Sequence, residues 1–118
     1  MSLSIAVRNA GDVTVLDLSG RITLGEATGE LRDVVAAEVA KNSRILLNLG
    51  GVSYIDSAGL GELVGCHTTV RNRGGEMKMV NMQKRVQDLM QITRLLTVFE
   101  SFDNEELAIR SFAKTASA

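Results

Sequence analysis

The residues able to do chemistry gather in one stretch, Asp56-Ser57-Ala58-Gly59-Leu60-Gly61, with Cys66 and His67 shortly after it. A serine placed where a strand hands over to a helix is displayed as the nucleophile of many hydrolases is. That chemistry needs glycines two residues to either side and a base within hydrogen-bond reach. Gly59 is present, but Ile55 holds the other position. The single histidine, His67, stands ten residues along the same expected helix, about 15 Å away at ~1.5 Å per residue. Ser57 has no base within this chain, and no catalysis is expected of it.

The glycines raise a second chemistry. Gly59, Gly61 and Gly65 approximate the turn that receives a dinucleotide pyrophosphate at a helix start. The pattern then fails, because Val64 stands where the third glycine belongs and Asn81 where an acid is needed about twenty positions on. No Gly-Lys-Ser/Thr follows either. Gly59 and Gly61 read instead as points where a helix start comes close to its neighbours. One cysteine and one histidine supply no ligand set, so no metal and no cofactor is expected. Cys66 shares an apolar line with Leu63 and Val70 and reads as a small core residue, as Met77, Met79, Met82 and Met90 read as core or edge filling.

Asp56 and Ser57 remain. Either side-chain oxygen can accept a bond from the free amides of a helix start. The same geometry admits a second role, because a phosphoryl group on Ser57 would add about −1.5 to −2 charges beside the positive end of a helix. The fold tolerates that charge there, whereas a partner docked over the loop would have to desolvate it. Residue types alone leave both roles open, and in both Ser57 acts without catalysis.

The rest of the chain must hold that loop in place. Its 118 residues and 12.7 kDa are the size of one domain, and 45% hydrophobic residues suffice for a core. Thirteen Lys and Arg against fourteen Asp and Glu leave a net charge of −1, with no field to draw nucleic acid or anionic lipid. Tyr54, Phe99, Phe102 and Phe112 are too few and too apolar in setting to stack bases. No run reaches the ~18 apolar residues of a membrane span, and Met1-Ser2-Leu3-Ser4-Ile5 lacks a basic region leading into an apolar one. A cytoplasmic protein without membrane insertion is expected.

Alternating apolar residues in Leu3–Val7 and Val13–Leu18, split by Asn9-Ala10-Gly11-Asp12, predict a hairpin. Thr23 and Glu26 have capping-box spacing, so a helix is expected from there through Leu31, Val34, Val35 and Val39 to near Asn42. The continuous apolar run Arg44–Leu49, bounded by Gly50-Gly51, predicts a central strand covered on both faces. A helix through Leu63, Cys66 and Val70 should stop at Arg73-Gly74-Gly75, with Arg71 and Arg73 solvating its end. Met77, Met79 and Asn81 predict a strand, Val86, Leu89 and Met90 a short helix, and Val98-Phe99-Glu100 a last strand. Asp103 and Glu106 then repeat the capping-box spacing before a helix carrying Leu107, Ala108, Ser111 and Phe112. Together these predict one α/β domain over 1–112, a mixed sheet with helices packed against it, and a disordered tail over 113–118. An open hairpin edge is compatible with a monomer or a weak homodimer.

The chain resembles the STAS domain of bacterial anti-sigma-factor antagonists. The likeness is carried by Asn48-Leu49 and Val52-Ser53-Tyr54-Ile55 leading into Asp56-Ser57-Ala58-Gly59-Leu60-Gly61, with support from Asp17–Ile22, Arg73–Glu76 and Phe99–Phe102. The resemblance implies that Ser57 is phosphorylated by an anti-sigma factor acting as a serine kinase. It also implies that the unphosphorylated form sequesters that kinase and frees a sigma factor, and that a PP2C-type phosphatase restores this form. Thr23, Asp56, Ser57, Ala58, Gly59, Leu60 and Gly61 would then belong to the partner-binding surface. Two positions depart from the family pattern: Ala58 replaces a common second hydroxyl, and Thr23 stands where an aspartate is frequent. An alternative within the same resemblance is a constitutive subunit of a signalling or lipid-transport complex that is not switched by phosphate.

Overall fold

The computed structural model describes residues 3–116, with side chains described through Phe112. Its elements run β1 (Leu3–Ala10), β2 (Val13–Ile22), α1 (Glu26–Val39), β3 (Arg44–Ile55), α2 (Ser57–Asn72), β4 (Glu76–Val80), α3 (Lys84–Ile92), a 3-10 turn (Leu95–Thr97), β5 (Ser101–Phe102) and α4 (Glu105–Ala116). The strands form one sheet in the order β1-β2-β3-β4-β5, with β1 antiparallel to β2 and every later pair parallel. This is the α/β mixed sheet with an amino-terminal hairpin that the residue pattern predicts. The tail expected over 113–118 falls on positions whose side chains, and at 117 and 118 whose backbone, lie outside the described residues.

Period-two alternation divides the strands between two cores. Ile45, Leu47 and Leu49 of β3 join Leu16, Leu18, Met77 and Met79 under α1, α2 and α3, whereas Leu46 joins Val13, Val15 and Val80 under Ala108 and Phe112 of α4. The central strand is therefore apolar at consecutive positions because helices cover both faces. Lys78 on β4 is buried on the α4 side. Its ammonium donates to Ser111 Oγ at 2.8 Å, pairs with Glu100 at 3.3 Å and lies 4.8 Å from the Phe112 ring centre, which repays its burial.

Four boundaries differ from the sequence reading, each for a local reason. Thr23 caps nothing: α1 starts at Glu26 behind Gly25, whose φ of 119° turns the chain in a region open mainly to glycine. The amide of Leu24, which a Thr23 cap would have placed inside the helix, bonds Asp56 instead. Asp103 is passed over too, because Asn104 Oδ1 accepts the amide of Leu107 at 2.9 Å. The last strand pairs through Ser101 and Phe102, not Val98–Glu100, since Val98 closes the 3-10 turn and Phe99 turns into the core. Finally β3 does not stop at Gly50-Gly51 but runs on to Ile55. Its ladder with β2 slips in register after Asp17, and a Cβ on Gly51 would sit 2.9 Å from the carbonyl oxygen of Leu18. The glycine permits an irregular ladder to continue, and the extension carries the chain to Asp56.

Candidate functional site

The site begins where β3 meets α2. Asp56 is the helix cap, and Oδ1 accepts the amide of Gly59 at 2.7 Å. Its second oxygen accepts the amide of Leu24 at 3.0 Å, while its own amide donates to the carbonyl of Ile22 at 3.2 Å. One carboxylate thus ties the β2–α1 loop to the start of α2. Hydrogen bonds from the amides of Leu24 and then Gly59 hold its carboxyl below the usual aspartate range, so it stays ionised. Of the two residues that could cap the helix, the aspartate does so.

That assignment leaves Ser57 without a structural task. It is the first residue of α2, its side chain is exposed, and its hydroxyl makes no hydrogen bond among the described residues. Ala58 and Leu60 are half-buried beside it. Gly59 is buried, and a Cβ there would run into the carbonyl oxygen of Ile22 and the Ile55 side chain, so only glycine lets α2 start this close to β2. Gly61 is different from what its spacing suggested: it is exposed, and a Cβ there would meet open space. Thr23 is half-buried in the neighbouring loop, one residue before the amide that Asp56 holds.

The surroundings of Ser57 are more apolar than a solvated loop requires. Ile92 and Tyr54 are 79% and 41% exposed, and Leu24, whose amide Asp56 holds, is 78% exposed; they are three of the six large apolar side chains left on the surface among the described residues. Ser57 lines a groove of about 500 Å³ together with Tyr54, Leu60, Arg85, Leu89 and Ile92, so the groove runs between the start of α2 and α3. Sequence reasoning missed the α3 side of this surface. The available signal was Ile92, an apolar residue that departs from the stripe Val86, Leu89 and Met90.

The other reactive residues are kept apart from Ser57. Cys66 is buried among the core residues of α2, and burial together with Glu62 pushes its thiol up to about 12, leaving no thiolate at neutral pH. His67 packs edge-on against Phe99 with ring centres 5.4 Å apart, and burial followed by the charge of Arg71 lowers its affinity for a proton. Among the described residues no group of three or more His, Cys, Asp or Glu is placed to hold a metal ion. No helix among them is long and apolar enough to cross a membrane.

Known proteins share the sequence family and the fold. The anti-sigma-B factor antagonist of Bacillus subtilis is 31% identical over 101 residues, which is 85% of this chain and 91% of that protein. The anti-sigma F factor antagonist of Paenibacillus polymyxa is 27% identical over 92% of this chain and 94% of its own. The crystal structure of an anti-sigma factor antagonist from Mycobacterium paratuberculosis superimposes with a TM-score of 0.79 at 20% identity, covering 93% of each chain, and shares the fold. The family model for the STAS domain matches residues 4–108, and the chain belongs to the STAS domain family.

Proposed function

We propose that this protein is an anti-sigma-factor antagonist whose Ser57 face is a binding surface switched by phosphate. It is a binding module and not an enzyme. The observation that carries the reading is the division of labour at the helix start: Asp56 performs the capping, and the exposed hydroxyl of Ser57, which makes no hydrogen bond among the described residues, lines a groove with the exposed apolar side chains of Tyr54 and Ile92.

In this reading an anti-sigma factor serine kinase transfers the γ-phosphoryl group of ATP to Ser57 Oγ. The new oxygen–phosphorus bond replaces the one to the β-phosphate oxygen, and ADP and the hydroxyl proton leave. The dianion sits at the positive end of α2, where helix dipole and free amides favour it, so the fold survives. A partner pressed onto Leu24, Tyr54 and Ile92 would have to bury that charge, and it is expelled. The unphosphorylated protein sequesters the kinase and releases a sigma factor, and a PP2C-type phosphatase regenerates it. Thr23, Ala58, Leu60 and Gly61 belong to the contact surface by position, with Asp56 and Gly59 shaping it from below. The cytoplasm, where sigma factors act, is the compartment this requires.

The test is intact-mass measurement after incubation with ATP and each anti-sigma serine kinase encoded in the protein's own genome. One added phosphate that disappears in Ser57→Ala is the expected result. No phosphate from any kinase of the set would instead support a constitutive subunit with the same fold.

A further inference from the structure

The sheet has two unequal edges. β5 closes it with two residues, Ser101 and Phe102, whereas β1 presents eight, Leu3–Ala10. Among the described residues no backbone segment pairs with the outer side of β1, so a row of its amides and carbonyls points outward. Edge strands are ordinarily guarded by a bulge, a proline, a lysine or a covering element. β1 has no such guard. Its register with β2 runs unbroken from Leu3 opposite Gly20 to Ala10 opposite Val13, and the strand holds neither proline nor lysine. α1 packs mainly over β2, β3 and α2, and α4 mainly over β3, β4 and β5, which leaves β1 at the margin of both layers. The one charge on the strand, Arg8, is turned back over the sheet, where it pairs with Asp17 and Glu105, each at 2.6 Å. Val7, opposite Leu16 on the α1 side, stays 46% exposed, and Ile5 on the same face is half-buried against the core.

We propose that β1 pairs antiparallel with β1 of a second copy of this chain, about a two-fold axis at Ala6. The strand's own pattern selects this occupant and this register. Centring on Ala6 sets Val7 of each copy opposite Ile5 of the other, so that the two apolar faces join, and sets Arg8 opposite Ser4, clear of the second Arg8. Centring on Val7 would set Ile5 opposite Asn9, and centring on Ile5 would shorten the pairing to Leu3–Val7. The proposal stands apart from the binding function above, but it has a consequence for it. Antiparallel pairing makes β3 of the two copies run in opposite directions. The two Ser57 faces, each beyond the end of β3, then lie at opposite ends of one continuous sheet, and both stay open.

The experiment is cross-linking of the full chain by a short bis-maleimide, with Ala6→Cys compared against Asn9→Cys. Both positions are exposed and Cys66 is buried, so the introduced thiol is the reactive one. In this register the two Ala6 positions face each other with Cβ atoms about 5 Å apart. The two Asn9 positions lie about 20 Å apart along the strands, at ~3.4 Å per residue. Ala6→Cys should cross-link at least tenfold faster than Asn9→Cys. Sedimentation of the wild type should show a weak monomer–dimer equilibrium, as a small interface gives. Val7→Lys should weaken it about tenfold or more, and Ile92→Asp, far from this edge, should leave it unchanged; thermal unfolding checks that each variant folds. A wild type that stays monomeric up to about 1 mM overturns the proposal. So does a dimer that is indifferent to Val7→Lys or dissolved by Ile92→Asp, and so do equal cross-linking rates at the two positions.

Discussion

The two ends of the sheet offer contrasting cavities. At the hairpin end, a hollow of about 690 Å³ lies between the β1–β2 turn and the start of β3, and it is the larger of the two. Its polar groups satisfy one another. Asn42 donates to the carbonyl of Asp12 at 2.8 Å and to Thr14 Oγ1 at 3.1 Å, its own Oδ1 accepts the amide of Arg44, and Arg44 pairs with Asp12 at 3.4 Å. At the other end the groove is smaller, but among the described residues Ser57 makes no hydrogen bond and Arg85 no ion pair, and Tyr54 and Ile92 face solvent. Exposed apolar and unpaired groups, rather than volume, mark the surface proposed for a partner against the one that serves the fold.

The contrast can be broken most sharply by charge. Ser57→Asp should weaken binding of the cognate anti-sigma kinase by a hundredfold or more, whereas Asp12→Ala at the hairpin end should leave it unchanged, both read by calorimetry. Equal losses at the two ends would erase the distinction. The next effect is on stability. Gly59→Ala forces a Cβ against the Ile22 carbonyl and should cost about 2–4 kcal/mol in urea unfolding, as overpacking against backbone does. Gly11→Ala in the hairpin turn, where φ is 62° and space is open, should cost only about 1 kcal/mol.

A pH series sharpens the same comparison. Backbone donors lower the folded carboxyl of Asp56, so its contribution to stability is present above the ordinary aspartate range and is lost as pH falls through the folded value. Wild type should therefore unfold at higher urea than Asp56→Asn at pH 7, and the gap should close toward pH 3. The smallest effect belongs to Asp12→Ala, whose side chain is largely exposed and whose ion pair is a surface one. Its unfolding free energy should change by no more than about 0.5 kcal/mol.

Local patterning made most of the fold legible. Alternation in β1 and β2, the apolar run of β3 and the stripes of α1 and α2 each state which face is buried, because burial on one side is the dominant constraint on those residues. The boundaries were legible only where the cap is a local contact. Asp56 caps within its own turn, and it was among the two candidates. Thr23 was misleading because the competing bond comes from Asp56, thirty-three residues away, which a local spacing rule does not see. Gly50-Gly51 looked like a strand end, since the close approach of β2 that explains Gly51 is a tertiary contact. At the site, Ser57 and its loop could be read from residue types, whereas Leu24, Tyr54, Arg85 and Ile92 could not. Tyr54, Arg85 and Ile92 line the groove beside Ser57 from β3 and α3, and Leu24 is tied to Asp56 from the β2–α1 loop, so no single stretch carries that pattern.

The most direct measurement compares the phosphorylated and unphosphorylated protein, prepared with the kinase that modifies Ser57 and titrated against that same kinase with ADP bound. Tight binding of the unphosphorylated form and a hundredfold or greater loss on adding one phosphate is the predicted result. Equal affinity of the two forms would contradict the central claim that Ser57 is a switch on a docking surface.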